Sequence, residues 1–144
     1  MRTVVLGVLV ALLLTPFAAA VRADSPAATK RVVRSWSARL NAYDNAGAAR
    51  LFARPAVFEQ GGTALRLRDY LDIALWHSLL PCAGRIASIT VRGDRATAVF
   101  VLANGRGRRC GAAGQKAAAV FRIRNGKILS WTQIPVPAPK GPTA

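Results

Sequence analysis

Along this chain the spacing of hydrophobic residues changes once, from a helical period to a strand period, and the change divides it into two halves. Ser25-Pro26 reads as a helix cap followed by proline in the first turn, where the missing N–H is harmless. Val32, Val33, Trp36, Leu40 and Tyr43 then recur at helical spacing with Lys30, Arg31, Arg34 and Arg39 on the other faces, which predicts an amphipathic helix over about 27–43. Asp44-Asn45 stops it and caps a second, short helix through Ala48, Ala49, Leu51 and Phe52 that ends at Pro55. A short strand is expected over 56–60, and Gly61-Gly62 turns the chain. A third helix follows over about 68–80, burying Leu71, Ala74, Leu75 and Ser78 or Leu79 before Pro81 terminates it.

After Pro81 the period is 2. Ala87, Ile89 and Val91 alternate with Ser88, Thr90 and Arg92, Gly93-Asp94 makes a tight turn, and Ala96, Ala98, Phe100 and Leu102 continue on the next strand. Asn125-Gly126 accepts the positive φ of a type I′ turn and joins strands over 117–124 and 127–134. Residues 104–115, rich in Gly and Arg, form the long loop between the middle strands. Three helices followed by an antiparallel meander predict an α+β fold with the helices on one face of a curved sheet. Such a cone has an apolar hollow, the place where a ligand would sit.

The first residues change what counts as the folded protein. Arg2, the apolar run Val4 to Leu14 and the ending Val21-Arg22-Ala23 read as an export signal over 1–23. Thr15-Pro16 breaks the run near the roughly 20 residues needed to span a bilayer, against an uncleaved anchor, and no cysteine follows it, against a lipoprotein. Cleavage after Ala23 leaves a short linker over 24–28, a domain over 29–134 and, with four prolines in ten residues, a mobile tail over 135–144. The expected location is secreted or otherwise extracytoplasmic. In an oxidising compartment the only two cysteines, Cys82 and Cys110, are expected to pair, stabilising the fold by roughly 3 to 4 kcal/mol.

Composition narrows the chemistry. Without the signal, 121 residues carry 19 basic and 6 acidic groups, a net charge of about +13. That is one domain, too short for a doubly wound nucleotide enzyme or an eight-stranded barrel. One histidine, two cysteines and few acids do not furnish a transition-metal site, and no cofactor is expected. The basic excess raises a polyanion reading, nucleic acid or an anionic envelope polymer, focused on Lys30-Arg31-Arg34 and Arg106-Arg108-Arg109. Against it, 17 Arg to 4 Lys beside 28 Ala is what a GC-rich coding sequence produces, and no basic strand interleaved with aromatics is present.

The order of elements, with Leu40-Asn41-Ala42-Tyr43-Asp44, the stretch Leu51 to Glu59 and Phe121-Arg122-Ile123-Arg124-Asn125-Gly126-Lys127-Ile128, resembles the NTF2-like superfamily in a secreted bacterial form. The resemblance covers about 29–134 and rests on the order of these segments more than on any one of them. It implies the cone and a range of activities: ketosteroid isomerases, SnoaL-type polyketide cyclases, dehydratases, epoxide hydrolases, and many non-catalytic binding modules. The isomerase branch's first-helix tyrosine falls at Trp36, its catalytic base at Gln60 and its oxyanion-hole acid near Ala119. Gln60 is no useful proton acceptor and Ala119 donates none, so that chemistry does not carry over. A homodimer through the outer sheet face follows from the resemblance alone.

Among individual residues, Trp36, Trp76, Phe100 and Trp131, with Gln60, are the expected lining of the hollow. Of Glu59 and Gln60, strand alternation allows only one to point inward; Glu59 is the acid expected nearer the interior edge. His77 and Asp72 are the weak catalytic candidates, His77 because its ordinary pKa lies near neutrality. The leading expectation is a secreted module that binds a small apolar or aromatic molecule or a protein partner. An isomerase-, dehydratase- or cyclase-type enzyme in the same cone and a polyanion binder are the alternatives.

Overall fold

A computed structural model describes residues 24–138. The expected signal over 1–23 and the part of the expected tail beyond 138 lie outside the described residues, and 135–138 have no regular secondary structure.

Helix α1 (Pro26–Asn41) starts where the capping residues place it: the Ser25 hydroxyl accepts from the Ala28 N–H at 3.2 Å, with Pro26 in the first turn. It therefore begins inside the 24–28 stretch expected as linker. Asp24, just before it, accepts from the Gly126 N–H at 2.8 Å, fastening this end of the chain to a hairpin at the other. Helix α2 (Asn45–Ala49) is capped by Asp44, which accepts from the Gly47 N–H at 2.8 Å and pairs with Arg39. The Gly47 hydrogen bond first, and the Arg39 guanidinium second, hold the Asp44 carboxyl below its ordinary value. A Cβ on Gly47 would meet the Asp44 carboxylate and the Arg39 guanidinium, so a larger residue there would displace the ion pair from its present geometry.

Strand β1 (Phe52–Gln60) corrects the second-helix expectation, since Phe52 to Pro55 are extended. Pro55 is tolerated because pairing slips register between Phe52 and Val57, the region that also holds the cis Arg54–Pro55 bond. Gly61 and Gly62, both at positive φ, turn the chain into β2 (Thr63–Leu67), a strand the periodicity did not reveal. Helix α3 (Tyr70–Ser78) is shorter than the expected 68–80, with Asp69 as cap accepting from the Leu71 and Asp72 N–H groups at 2.9 Å.

The buried face of α3 is the larger correction. Ile73 and His77 point into the protein, whereas Leu71, Leu75 and Leu79 are 79%, 62% and 71% exposed. The helix is apolar on nearly every side, so spacing alone could not choose its inward face.

Strands β3 (Ala83–Arg92), β4 (Arg95–Ala103), β5 (Lys116–Arg124) and β6 (Lys127–Ile134) form the expected meander. A bulge between Ile86 and Ser88 shifts the phase of β3, leaving Ala87 exposed and Ile89 and Val91 half-buried. Asn125 and Gly126 both take positive φ in the β5–β6 turn. The single six-stranded sheet runs β2-β1-β6-β5-β4-β3; β1 lies parallel to β6 and every other pair is antiparallel. It is curved and unclosed, with the helices packed on it. Cys82 and Cys110 are disulfide-bonded, their Cα atoms 4.8 Å apart, which ties the 104–115 loop to the chain just beyond α3.

Candidate functional site

Trp36 is the centre from which the site is built. Its ring meets Phe121 at 5.0 Å and Phe100 at 6.0 Å between centroids, both edge-on. Its indole N–H donates to His77 Nε2 at 3.1 Å, a buried link between α1 and α3. His77 is 3% exposed and surrounded by the rings of Trp36, Phe52, Phe58 and Trp76. Burial pushes its pKa down to about 4, opposed by a backbone contact at Asn45. The imidazole is neutral at pH 7, and because Nε2 accepts, Nδ1 carries the proton; that nitrogen has no partner in good hydrogen-bond geometry. His77 thus acts as the acceptor that satisfies a buried tryptophan, with its one basic nitrogen occupied.

On the other side of Trp36 the cone is hollow. A cavity of about 190 Å³ lies between the end of α1 and the inner face of β4–β6, with Trp36, Phe100 and Trp131 as aromatic wall. Gln60 and Gln133 bring side-chain amides to it, and Ala117 and Ala119, on the inward face of β5, form the floor. Leu80 to Gly84 close the side nearest the disulfide. Asn41 clamps that side by donating to the Gly84 carbonyl at 2.8 Å and accepting from its N–H at 3.1 Å. No residue on this wall bears an ionisable side chain; Cys82 is held in the disulfide. A smaller hollow of about 120 Å³, lined by Tyr43, Asn45, His77 and Arg108 among others, shares Leu40 and the Leu80–Ala83 segment with the first.

The structure brings Trp36, Gln60, Phe100 and Trp131 together on the large cavity and leaves Trp76 behind it, wedged between Phe58 at 4.4 Å and Trp131 at 4.9 Å. Both β1 candidates are exposed, and of the two it is Gln60 that lines the hollow while Glu59 is not part of the wall. His77 lines only the smaller hollow. Asp72 is exposed, accepts from the Arg68 N–H at 3.3 Å and lines neither. Neither candidate base is therefore placed at the cone. Asn41, Gln133 and the Leu80–Gly84 segment were missed. Gln133 lies two residues beyond Trp131 on the same strand, so alternation alone could have found it.

Residues 33–131 match the family model of the SnoaL-like domain. This chain belongs to that family. The SnoaL-like domain sits within the NTF2-like superfamily, and its solved relatives agree in fold. A provisionally assigned ketosteroid isomerase from Kribbella flavida superposes with a TM-score of 0.62 at 17% identity, covering 82% of this chain and 84% of its own. A provisionally assigned polyketide cyclase from Sinorhizobium meliloti gives 0.60 at 19%, over 72% of this chain and 94% of its own. A protein of ketosteroid-isomerase-like fold from Catenulispora acidiphila, solved with trimethylamine, gives 0.58 at 17%, over 77% and 86%. A comparison with curated proteins finds no match. Trp36, Gln60 and Ala119, the three positions compared above with the isomerase branch, all lie on the cavity wall.

Proposed function

We propose that this SnoaL-like domain is an exported binding module that holds a small, neutral, apolar or aromatic molecule in the cone without transforming it. The observation that carries the reading is the cavity lining, which is aromatic and aliphatic with amide tips and has no charged side chain in a chain of formal net charge +15. An ionised ligand would leave water for a wall with no counter-charge, whereas an uncharged one meets only ring faces and a few hydrogen-bonding groups. About 190 Å³ exceeds the ~150 Å³ cavity that takes benzene and falls short of the ~300 Å³ where common ligand clefts begin, so the fitting ligand has one or two rings. The disulfide is compatible with the extracytoplasmic location that the N-terminal segment suggests.

Saturation-transfer NMR with toluene, phenol and benzoate tests this directly. Toluene and phenol should receive saturation and benzoate should not, and Ala119→Leu, which fills the floor, should abolish the signal. Equal transfer to benzoate, or transfer indifferent to Ala119→Leu, would defeat the reading.

A further inference from the structure

The outer face of α3 and its C-cap residue present Leu71, Leu75 and Leu79 at successive four-residue steps, 79%, 62% and 71% exposed, on a helix whose inner face is already buried. Water is a poor neighbour for three leucines in a row, so the stripe calls for something to cover it. The charges at its ends say what. At the start of the helix, Arg68 is exposed and the Arg54 guanidinium stacks over the Tyr70 ring at 4.4 Å. At its end, Arg108 donates to the Ser78 carbonyl at 2.9 Å and the Leu80 carbonyl at 3.4 Å, and the Cys82–Cys110 bond fixes the same loop beside it. That loop also carries the exposed Arg106 and Arg109.

The helix and its cap carry two acidic groups, Asp69 and Asp72, both occupied by backbone N–H groups around the first turn, and Asp44, capping the α2 helix packed against α3, is paired with Arg39. Arginines therefore stand at both ends of the leucine stripe, Arg54 and Arg68 at the start and Arg108 at the end, with Arg106 and Arg109 exposed on the same loop as Arg108. A second copy would set these like charges against each other and add the repulsion of two strongly basic chains. The geometry points to α3 as a docking surface for an anionic lipid membrane: leucines enter the acyl boundary while the arginines meet headgroup phosphates. No helix among the described residues is long and apolar enough to cross a bilayer, so the contact is peripheral. It is also separate from the cone, and its failure would leave the cavity reading untouched.

Sedimentation with vesicles decides the matter. The purified protein should sediment with vesicles of phosphatidylglycerol and phosphatidylcholine in equal parts and stay in solution with phosphatidylcholine alone. Leu71→Asn, Leu75→Asn and Leu79→Asn combined should weaken binding at least about tenfold without altering thermal unfolding. Arg106→Gln with Arg109→Gln should weaken it severalfold and flatten its salt dependence. If the triple variant does not fold, Leu71→Gln alone, at the most exposed position, should still lower binding measurably. The proposal is overturned if the protein ignores anionic vesicles or if the leucine variants bind as the parent does. It is equally overturned if sedimentation velocity shows a dimer that the triple variant dissolves.

Discussion

Two adjacent cross-strand rows on the inner face of the sheet have opposite fates. In one, Ala96, Phe121 and Trp131 stand side by side; in the next, two residues along each strand, Ala98, Ala119 and Gln133 do. The first row packs solid: Phe121 against Trp36, and Trp131 against Trp76 and Phe58. Over the second lies the cavity, with Ala119 and Gln133 in its wall. The aromatic residues are shared by both regions, so the hollow is made by the alanines of β5 and not by the tryptophans that border it. A pocket in this fold is a place where side chains were left short.

The contrast is broken most severely by emptying the solid side. Phe52, fully buried and stacked on Phe58 at 4.8 Å, should cost about 3–5 kcal/mol when replaced by alanine, read by urea unfolding. Second is acid. His77 binds its proton more weakly in the folded chain than in the unfolded one, so its contribution is complete above pH ~6.5 and is lost as pH falls toward about 4. Unfolding measured at pH 7 and pH 4.5 should differ by roughly 2 to 3 kcal/mol from this group, at about 1.4 kcal/mol per pKa unit. His77→Gln should flatten that slope. The Asp44 and Asp94 carboxyls, the latter held low first by its hydrogen bond from Arg122, add an acid loss of the same sign at the low end of this window, which His77→Gln leaves in place.

Third, Asp44→Ala removes the α2 cap and should lower the unfolding midpoint by a smaller step than either of these, read by urea unfolding. The smallest effect is the sharpest. Ala119→Leu adds bulk over a void, so its stability change should stay within about 1 kcal/mol, below the 1–3 kcal/mol expected where the packing is already tight. A calorimetric loss as large as that of Phe52→Ala would mean that the space beside Ala119 is not available to a side chain.

Local chemistry was legible in the sequence. Ser25 and Asp44 cap the helices expected of them, Asn125-Gly126 turns the last hairpin, and Cys82 and Cys110 are joined. What failed were choices settled by distant partners. The inward face of α3 depends on Trp36, 41 residues away from His77, whose N–H needs a buried acceptor. On β1, alternation showed that only one of Glu59 and Gln60 could enter the cone, but which one depends on the pairing with β2 and β6 across the bulge. Pro55 misled for a related reason: it breaks helices, yet an irregular strand accepts it. The aromatic wall was foreseen residue by residue apart from Trp76, and the alanine floor, having no side chains to announce it, was harder to read.

The strip from Leu80 to Ala83 is a partition with a hollow on each side, anchored at Cys82 to the arginine loop and latched by Asn41 at Gly84. While the sulfur bridge holds, an occupant of either chamber meets a fixed dividing wall. Reduction would remove the one covalent tie of that wall and leave the Asn41–Gly84 pair of hydrogen bonds, with Arg108 on the Leu80 carbonyl, to hold it.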